Sequence, residues 1–192
     1  PGGLLRAARP GEGGKIFGYT ADELDRLDRD GFADWILVEA DGAARRPLKA
    51  PVEKEPVIPS GSVMVIAVAG LSGIGQPFTD STVFRSEAFA SVTGLVSGQL
   101  ITAEAASATF IHPQGLFKNS PDKARRMAFL NQADLEGRME SARRLAGEAL
   151  LHNLHPLFRI FAGSASLPCT PCTEFLLTPS GCAPPANSPP RP

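Results

Sequence analysis

Four short apolar runs without alternation constrain this chain more than any other feature: Trp35–Val38 (WILV), Val63–Ala69 (VMVIAVA), Met127–Leu130 (MAFL) and Phe158–Ala162 (FRIFA). A strand with one wet face alternates apolar and polar residues, whereas a parallel strand covered on both faces does not. Helix signals lie between the runs. Thr20 is a good N-cap with Glu23 as its capping-box partner, and that helix should run to about Asp30 and stop at Gly31. Asp80 predicts a helix through Val83, Phe84, Ala88, Phe89 and Val92 that ends at Gly94. Thr102 caps another, Ser120-Pro121 starts a further one, and Asp134 opens the longest, with Leu135, Met139, Ala142, Leu145, Ala149 and Leu150 as its apolar stripe. Strands separated by helices predict an α/β fold with a mainly parallel sheet and flanking helices. Ligands of such sheets bind beyond the carboxyl ends of the strands. The chemistry is therefore expected just after Val38, Ala69, Leu130 and Ala162.

Composition narrows the class. The 192 residues carry 19 basic and 20 acidic side chains, a net charge of -1, which argues against nucleic-acid or membrane-surface partners. No apolar run approaches the roughly 18–20 residues of a membrane span, and the first residues do not spell a signal peptide. The 26 residues from Leu167 hold eight prolines, all three cysteines and two charges, Glu174 and Arg191. The chain accordingly divides into a flexible segment 1–14, a domain over 15–166 and a Pro-rich disordered tail over 167–192. Lys15 to Tyr19 suits a short strand. A domain without cysteine fits the cytoplasm. The absence of an initiator Met suggests a processed chain or a fragment.

Each strand end carries a candidate site. After Val38, Glu39 and Asp41 are two carboxylates able to polarise a water or, through Asp41, to hold Mg²⁺ beside a phosphate, and Gly42 lets the backbone turn. The alternative is an acidic strand end that caps a loop. Arg45, Arg46 and Lys49 follow closely and suit phosphate oxygens, unless they form a solvated basic loop. After Leu130, Asn131-Gln132-Ala133-Asp134 is similar to the Asn-Lys-x-Asp element of GTP-binding proteins, with Gln in place of Lys. The Asp134 carboxylate can accept two hydrogen bonds from guanine, and the Asn131 amide can reach the base edge. The same two residues also make a plain turn and an N-cap. After Ala162, the Gly163-Ser164-Ala165-Ser166 loop is where a Ser-Ala pair commonly meets a base.

No phosphate cradle is present in the sequence. Gly11-Glu12-Gly13-Gly14-Lys15 fails as a P-loop because Arg9 stands where Gly is required and Ile16 where Ser or Thr is required. Gly70-Leu71-Ser72-Gly73-Ile74-Gly75 reverses the dinucleotide fingerprint and reads as a loop. His152 and His155 are spaced for a metal but lack a third ligand, and His112, before Pro113, is a slightly better functional candidate. Cys169 and Cys172 form a C-x-x-C, with Cys182 ten residues on, but they have neither the second pair of a zinc ribbon nor a redox context.

The stretch Ile36–Pro59, ILVEADGAARRPLKAPVEKEPVIP, is highly distinctive. It resembles the selenium-dependent molybdenum hydroxylase accessory protein family (the YqeC-type proteins), and the likeness continues through VIAVAGLSGIGQPF, VFRSEAFASVTGL, ITAEA, HPQGLFK and NQAD, over roughly residues 15–166. The resemblance implies a P-loop-type nucleotide-binding fold, N-terminally truncated here, and a role in maturing selenium-dependent molybdenum hydroxylases. It implies Mg²⁺ and a nucleoside triphosphate, GTP or ATP, as cofactors, and the hydroxylase or its cofactor machinery as partner. By resemblance Glu39 and Asp41 fill the catalytic acidic motif, with Asp41 at the metal. Gly42, Arg46, Lys49, Asn131, Asp134 and Ser164 fill the nucleotide site. Phe84 stands where the family has His, and Gln132 where it has Lys. NTP hydrolysis is an expectation for the full-length family and not for this chain alone. The alternative is a non-catalytic docking partner.

Overall fold

In the computed structural model, residues 9–10, 16–152, 155, 158–167, 172–178 and 181–183 are described. Strands β1 (Arg9–Pro10) and β2 (Ile16–Phe17) form a small antiparallel ribbon. Helix α1 (Ala21–Arg29) follows as expected, closed by the Thr20–Glu23 capping box. It buries none of its residues. Its anchor is polar: the Asp25 carboxylate accepts the Ser60 amide at 3.1 Å, the Ser60 hydroxyl at 2.8 Å and the Gly61 amide at 3.0 Å. Those bonds hold the Asp25 carboxyl below the usual carboxylate range.

Strand β3 (Leu48–Lys49) pairs in parallel with β5 (Val83–Phe84). Between them in the sequence, but in the other sheet, comes β4 (Met64–Gly70), followed by a single 3₁₀ turn at Leu71–Gly73. Helices α2 (Ser86–Thr93) and α3 (Ala103–Ile111) lead to β6 (Arg125–Asn131). Helix α4 (Arg138–His152), β7 (Phe158–Ala162), β8 (Thr173–Thr178) and β9 (Gly181–Ala183) complete the order. The main sheet runs β4-β6-β7-β8-β9. Its first three strands are parallel, and β8 and β9 are antiparallel. The expected α/β fold with a mainly parallel sheet and flanking helices is thus observed.

One face of this sheet makes the core. Ala67, Ala128, Ile160 and Phe175 share a row across four strands and are all buried. Helix α4 packs on β7, β8 and β9 and against α3. Its buried stripe is Ala142, Leu145, Ala146 and Ala149. Alanine on both helix and strand lets the two backbones approach closely, so dispersion is strong although side chains are small. Phe110, Phe117 and Phe158 fill the end of this layer, with Phe117 edge-on to Phe158 at 5.6 Å.

Several expectations need correction. Trp35–Val38 is not a strand: the segment has no regular secondary structure, with Trp35 82% and Leu37 87% exposed. Asp80 does not cap a helix, because Val83 and Phe84 are committed to pairing with Leu48 and Lys49, and α2 starts only at Ser86. Ser120-Pro121 opens a turn, with the Ala124 amide bonded to the Pro121 carbonyl just before β6 begins, and no helix. Asp134 likewise sits in a turn closed by the Leu135 amide on the Gln132 carbonyl; a second turn, closed by the Arg138 amide on Leu135, follows, and Gly137 at φ +70° delays the helix to Arg138. In the segment expected to be a flexible N-terminus, Arg9–Pro10 is paired. In the stretch expected to be a disordered tail, β8 joins the sheet, Phe175 is 1% exposed, and Glu174 accepts from Arg159 at 3.0 Å. Cys169 lies outside the described residues, and Cys172 is a free, exposed thiol.

Candidate functional site

Two clusters form at the carboxyl edge of the parallel strands. The first is ionic and is organised by Lys49. This residue is 7% exposed, although β3 is only two residues long. Its ammonium pairs with the Asp41 carboxylate, donates to the Gly42 carbonyl at 3.0 Å and stands 3.8 Å from Glu55. Glu55 in turn accepts from Arg85 at 2.8 Å and from the Val52 amide at 3.4 Å. Asp41, Lys49, Glu55 and Arg85 thus alternate in sign along one chain of contacts. Burial disfavours the Glu55 anion, but the Arg85 and Val52 hydrogen bonds and the Lys49 and Arg85 charges outweigh it and hold its carboxyl low. The Phe84 ring completes the cluster, with Arg85 at 4.7 Å, Lys49 at 5.5 Å and Arg46 at 5.8 Å from its centroid. Such cation–π contacts contribute about 0.5–2 kcal/mol each, more as they are desolvated.

Arg46 is held by the Asp80 and Ala44 carbonyls. It lines an open cavity of about 490 Å³ together with Asp80, Phe84, Arg85 and Ser86 at the start of α2. Glu39 is exposed, and a Cβ on Gly42 would stand 3.4 Å from its Oε1. The expected Mg²⁺ role of Asp41 does not fit this arrangement, because its carboxylate is already neutralised by Lys49. Among the described residues, no group of three His, Cys, Asp or Glu side chains is placed to hold a metal ion. His152 faces Glu148 at 3.6 Å instead.

The second cluster surrounds Asn131. Its Oδ1 accepts the Gln132 amide and the Ala165 amide, each at 2.9 Å. The Ala133 amide donates to the Gly163 carbonyl at 3.0 Å. The NQAD turn and the Gly163–Ser166 loop are therefore laced together by one side chain and one main-chain bond. Gln132 adopts a left-handed φ of +69°, unusual for a residue with a Cβ. That geometry aims its Oε1 at the Ser72 amide, 3.1 Å away. Ser164 is buried, and its hydroxyl is 3.0 Å from that of Ser166. Asp134 is exposed, and its carboxylate has no partner among the described residues.

The clusters meet at Gly70. Its amide donates to the Pro47 carbonyl at 2.7 Å, and a Cβ there would lie 2.8 Å from Gln132 Oε1 and 2.9 Å from Pro47 Cβ. The end of β4 is thus clamped between the Arg46–Lys49 loop and the NQAD turn.

Residues 2–87 match the YqeC protein family. Over 119 residues the chain is 42% identical to the Escherichia coli (strain K12) "Uncharacterized protein YqeC". Over these stretches the chain is similar to YqeC proteins. The match takes in 62% of this chain and 46% of the E. coli protein, so the chain spans about half the length of that curated relative. No solved structure matches it. The YqeC-type stretch from Glu39 to Pro59 supplies three members of the ionic chain, and Arg85 closes it from the end of the matched region.

Sequence reasoning singled out Asp41, Lys49, Asn131 and Asp134, which the fold places in these two clusters. It missed the roles of Glu55, Phe84, Arg85 and Gln132. Arg85 lies 30 residues beyond Glu55, and no local spacing signals that pairing. No helix among the described residues is long and apolar enough to cross a membrane.

Proposed function

We propose that this chain is the nucleotide-binding part of an accessory protein for maturation of selenium-dependent molybdenum hydroxylases. The observation that carries the nucleotide reading is the Asn131 amide. Its oxygen fixes the Ala165 loop against the NQAD turn, while the Asp134 carboxylate stays exposed and unpartnered. A carboxylate held beside such a loop can accept the paired N–H groups of a guanine edge, which favours GTP over ATP. Arg46 and Arg85, lining the cavity at the start of α2, are the cations best placed for phosphate oxygens. Lys49 is less well placed: it is buried, and its ammonium is already engaged by Asp41 and the Gly42 carbonyl, with Glu55 at 3.8 Å. The selenium and hydroxylase parts rest on the resemblance of the VEADG-to-EPVIP stretch.

Isothermal titration with GTP and ATP, with and without Mg²⁺, tests the nucleotide reading. GTP binding that Asp134→Asn abolishes supports it. Absence of binding by the chain and by the E. coli relative refutes it.

A docking role without nucleotide is favoured by a different observation. The signature loop is neutralised internally by the Asp41–Lys49–Glu55–Arg85 chain, as suits a rigid recognition surface. Co-purification with a molybdenum hydroxylase that is indifferent to nucleotide would select this second reading.

A further inference from the structure

Two cavities lie side by side along the first turns of α2. One is the Arg46–Arg85 cavity of about 490 Å³. The other, about 570 Å³, is walled by α2, Phe78 and the Leu95–Ser97 loop. Asp80, Ser86 and Glu87 line both, so the two make one groove. Its apolar end is built in advance. Phe78 is buried against Phe89, with ring centroids 5.5 Å apart. The Phe78 amide donates to the Gln99 carbonyl at 2.7 Å, and the Gly98 amide donates to the Phe78 carbonyl at 2.9 Å. The Gln99 side chain accepts the Val96 amide at 2.8 Å. A pocket that holds its shape when empty spends less entropy on binding.

The charged end holds both signs, unspent on each other. Arg46 takes the Asp80 main-chain carbonyl rather than its carboxylate, and the Ala44 carbonyl at 3.1 Å, which leaves Nη2 without a partner among the described residues. Arg85 gives one nitrogen to Glu55. Asp80 and Glu87 are in no ion pair among the described residues. A ligand with a carboxylate and an ammonium on neighbouring atoms engages both signs at once. We infer that the groove binds a free α-amino acid with an apolar side chain. Its carboxylate lies on the unused N–H groups of Arg46 and Arg85, and its ammonium between Asp80 and Glu87. Its side chain lies against Phe78, Ala90, Leu95 and Val96. Each end of a longer peptide offers only one of the two charges. The inference goes beyond the nucleotide reading and stands without it, since the groove includes neither Asn131 nor Asp134.

The test follows the main-chain amides of the full chain by two-dimensional NMR as L-leucine is added. Two half-ligands serve as controls: 4-methylpentanoate, which lacks the ammonium, and L-leucinamide, which lacks the carboxylate. L-Leucine should give saturable shifts at the start of α2 and in the loops that carry Phe78 and Leu95. Each half-ligand should bind about tenfold or more weakly, as the loss of one charge-assisted contact requires. The Glu87 side chain makes no bond among the described residues, so Glu87→Gln leaves the fold alone. It should weaken L-leucine about fivefold or more and leave 4-methylpentanoate unchanged, a split that a damaged fold would not give. Asp134→Asn, the change that tests the nucleotide reading, should leave L-leucine binding as it was. No saturation by L-leucine where a millimolar site would fill overturns the proposal. So does equal binding of either half-ligand, and so does loss of L-leucine binding in Asp134→Asn, which would move the ligand to the other cluster.

Discussion

The ionic cluster at Lys49 and the loop cluster at Asn131 flank the same strand end, yet they solve opposite problems. Around Lys49 the charges satisfy each other: a buried ammonium sits between two carboxylates. Around Asn131 a neutral side chain does the fixing, which leaves the one carboxylate of the turn, Asp134, free to face solvent. Charged residues in a distinctive stretch are thus not ligand groups by default. Their availability depends on whether the fold has already paired them.

The contrast predicts a graded set of effects. Lys49→Ala leaves Asp41 and Glu55 without their shared cation, and thermal or urea denaturation should show a loss of about 3–5 kcal/mol, typical of a broken buried pair. Were the loss below about 1 kcal/mol, the cluster would be an ordinary surface network. Asn131→Ala removes the acceptor for two main-chain amides and should cost about 1–3 kcal/mol, since one of them belongs to a strained left-handed residue. The Asp134→Asn change should sit at the other end, within about 0.5 kcal/mol of the parent, because it breaks no bond in the fold. A large loss there would mean that the carboxylate is structural.

Acid should separate the regions too. Glu55 and Asp25 have folded pKa values below their unfolded ones, so their stabilisation is present above the unfolded carboxylate range and is lost as pH falls through the lowered values. Stability measured by urea denaturation should therefore fall as pH drops below the ordinary carboxylate range, and Glu55→Gln should flatten that fall. Asn131 carries no charge, so the Asn131→Ala loss should be the same at pH 7 and pH 5. A pH-dependent Asn131→Ala loss would show that the two clusters are electrostatically coupled.

The sequence made the parallel strands legible because their apolar runs are continuous, and the Thr20 and Thr102 caps were legible because capping chemistry is local. The first residues of α2 and α4 were not, because strand pairing at Val83 and the left-handed Gly137 moved them by several positions. Trp35–Val38 misled for a different reason: the run has strand chemistry but no strand beside it among the described residues. At the site, single residues were readable and partnerships were not, since Asp41–Lys49 spans a turn and Glu55–Arg85 spans β4.

Strand β8 also sets an order on how the molecule can be completed. Phe175 closes the row that Ala67, Ala128 and Ile160 begin, and β8 packs on α4. During synthesis those earlier surfaces emerge first and stay wet until residues 173–178 leave the ribosome. Trimming the chain at Leu167, which its proline content invites, would leave that interim state permanent, with β7 as a raw edge.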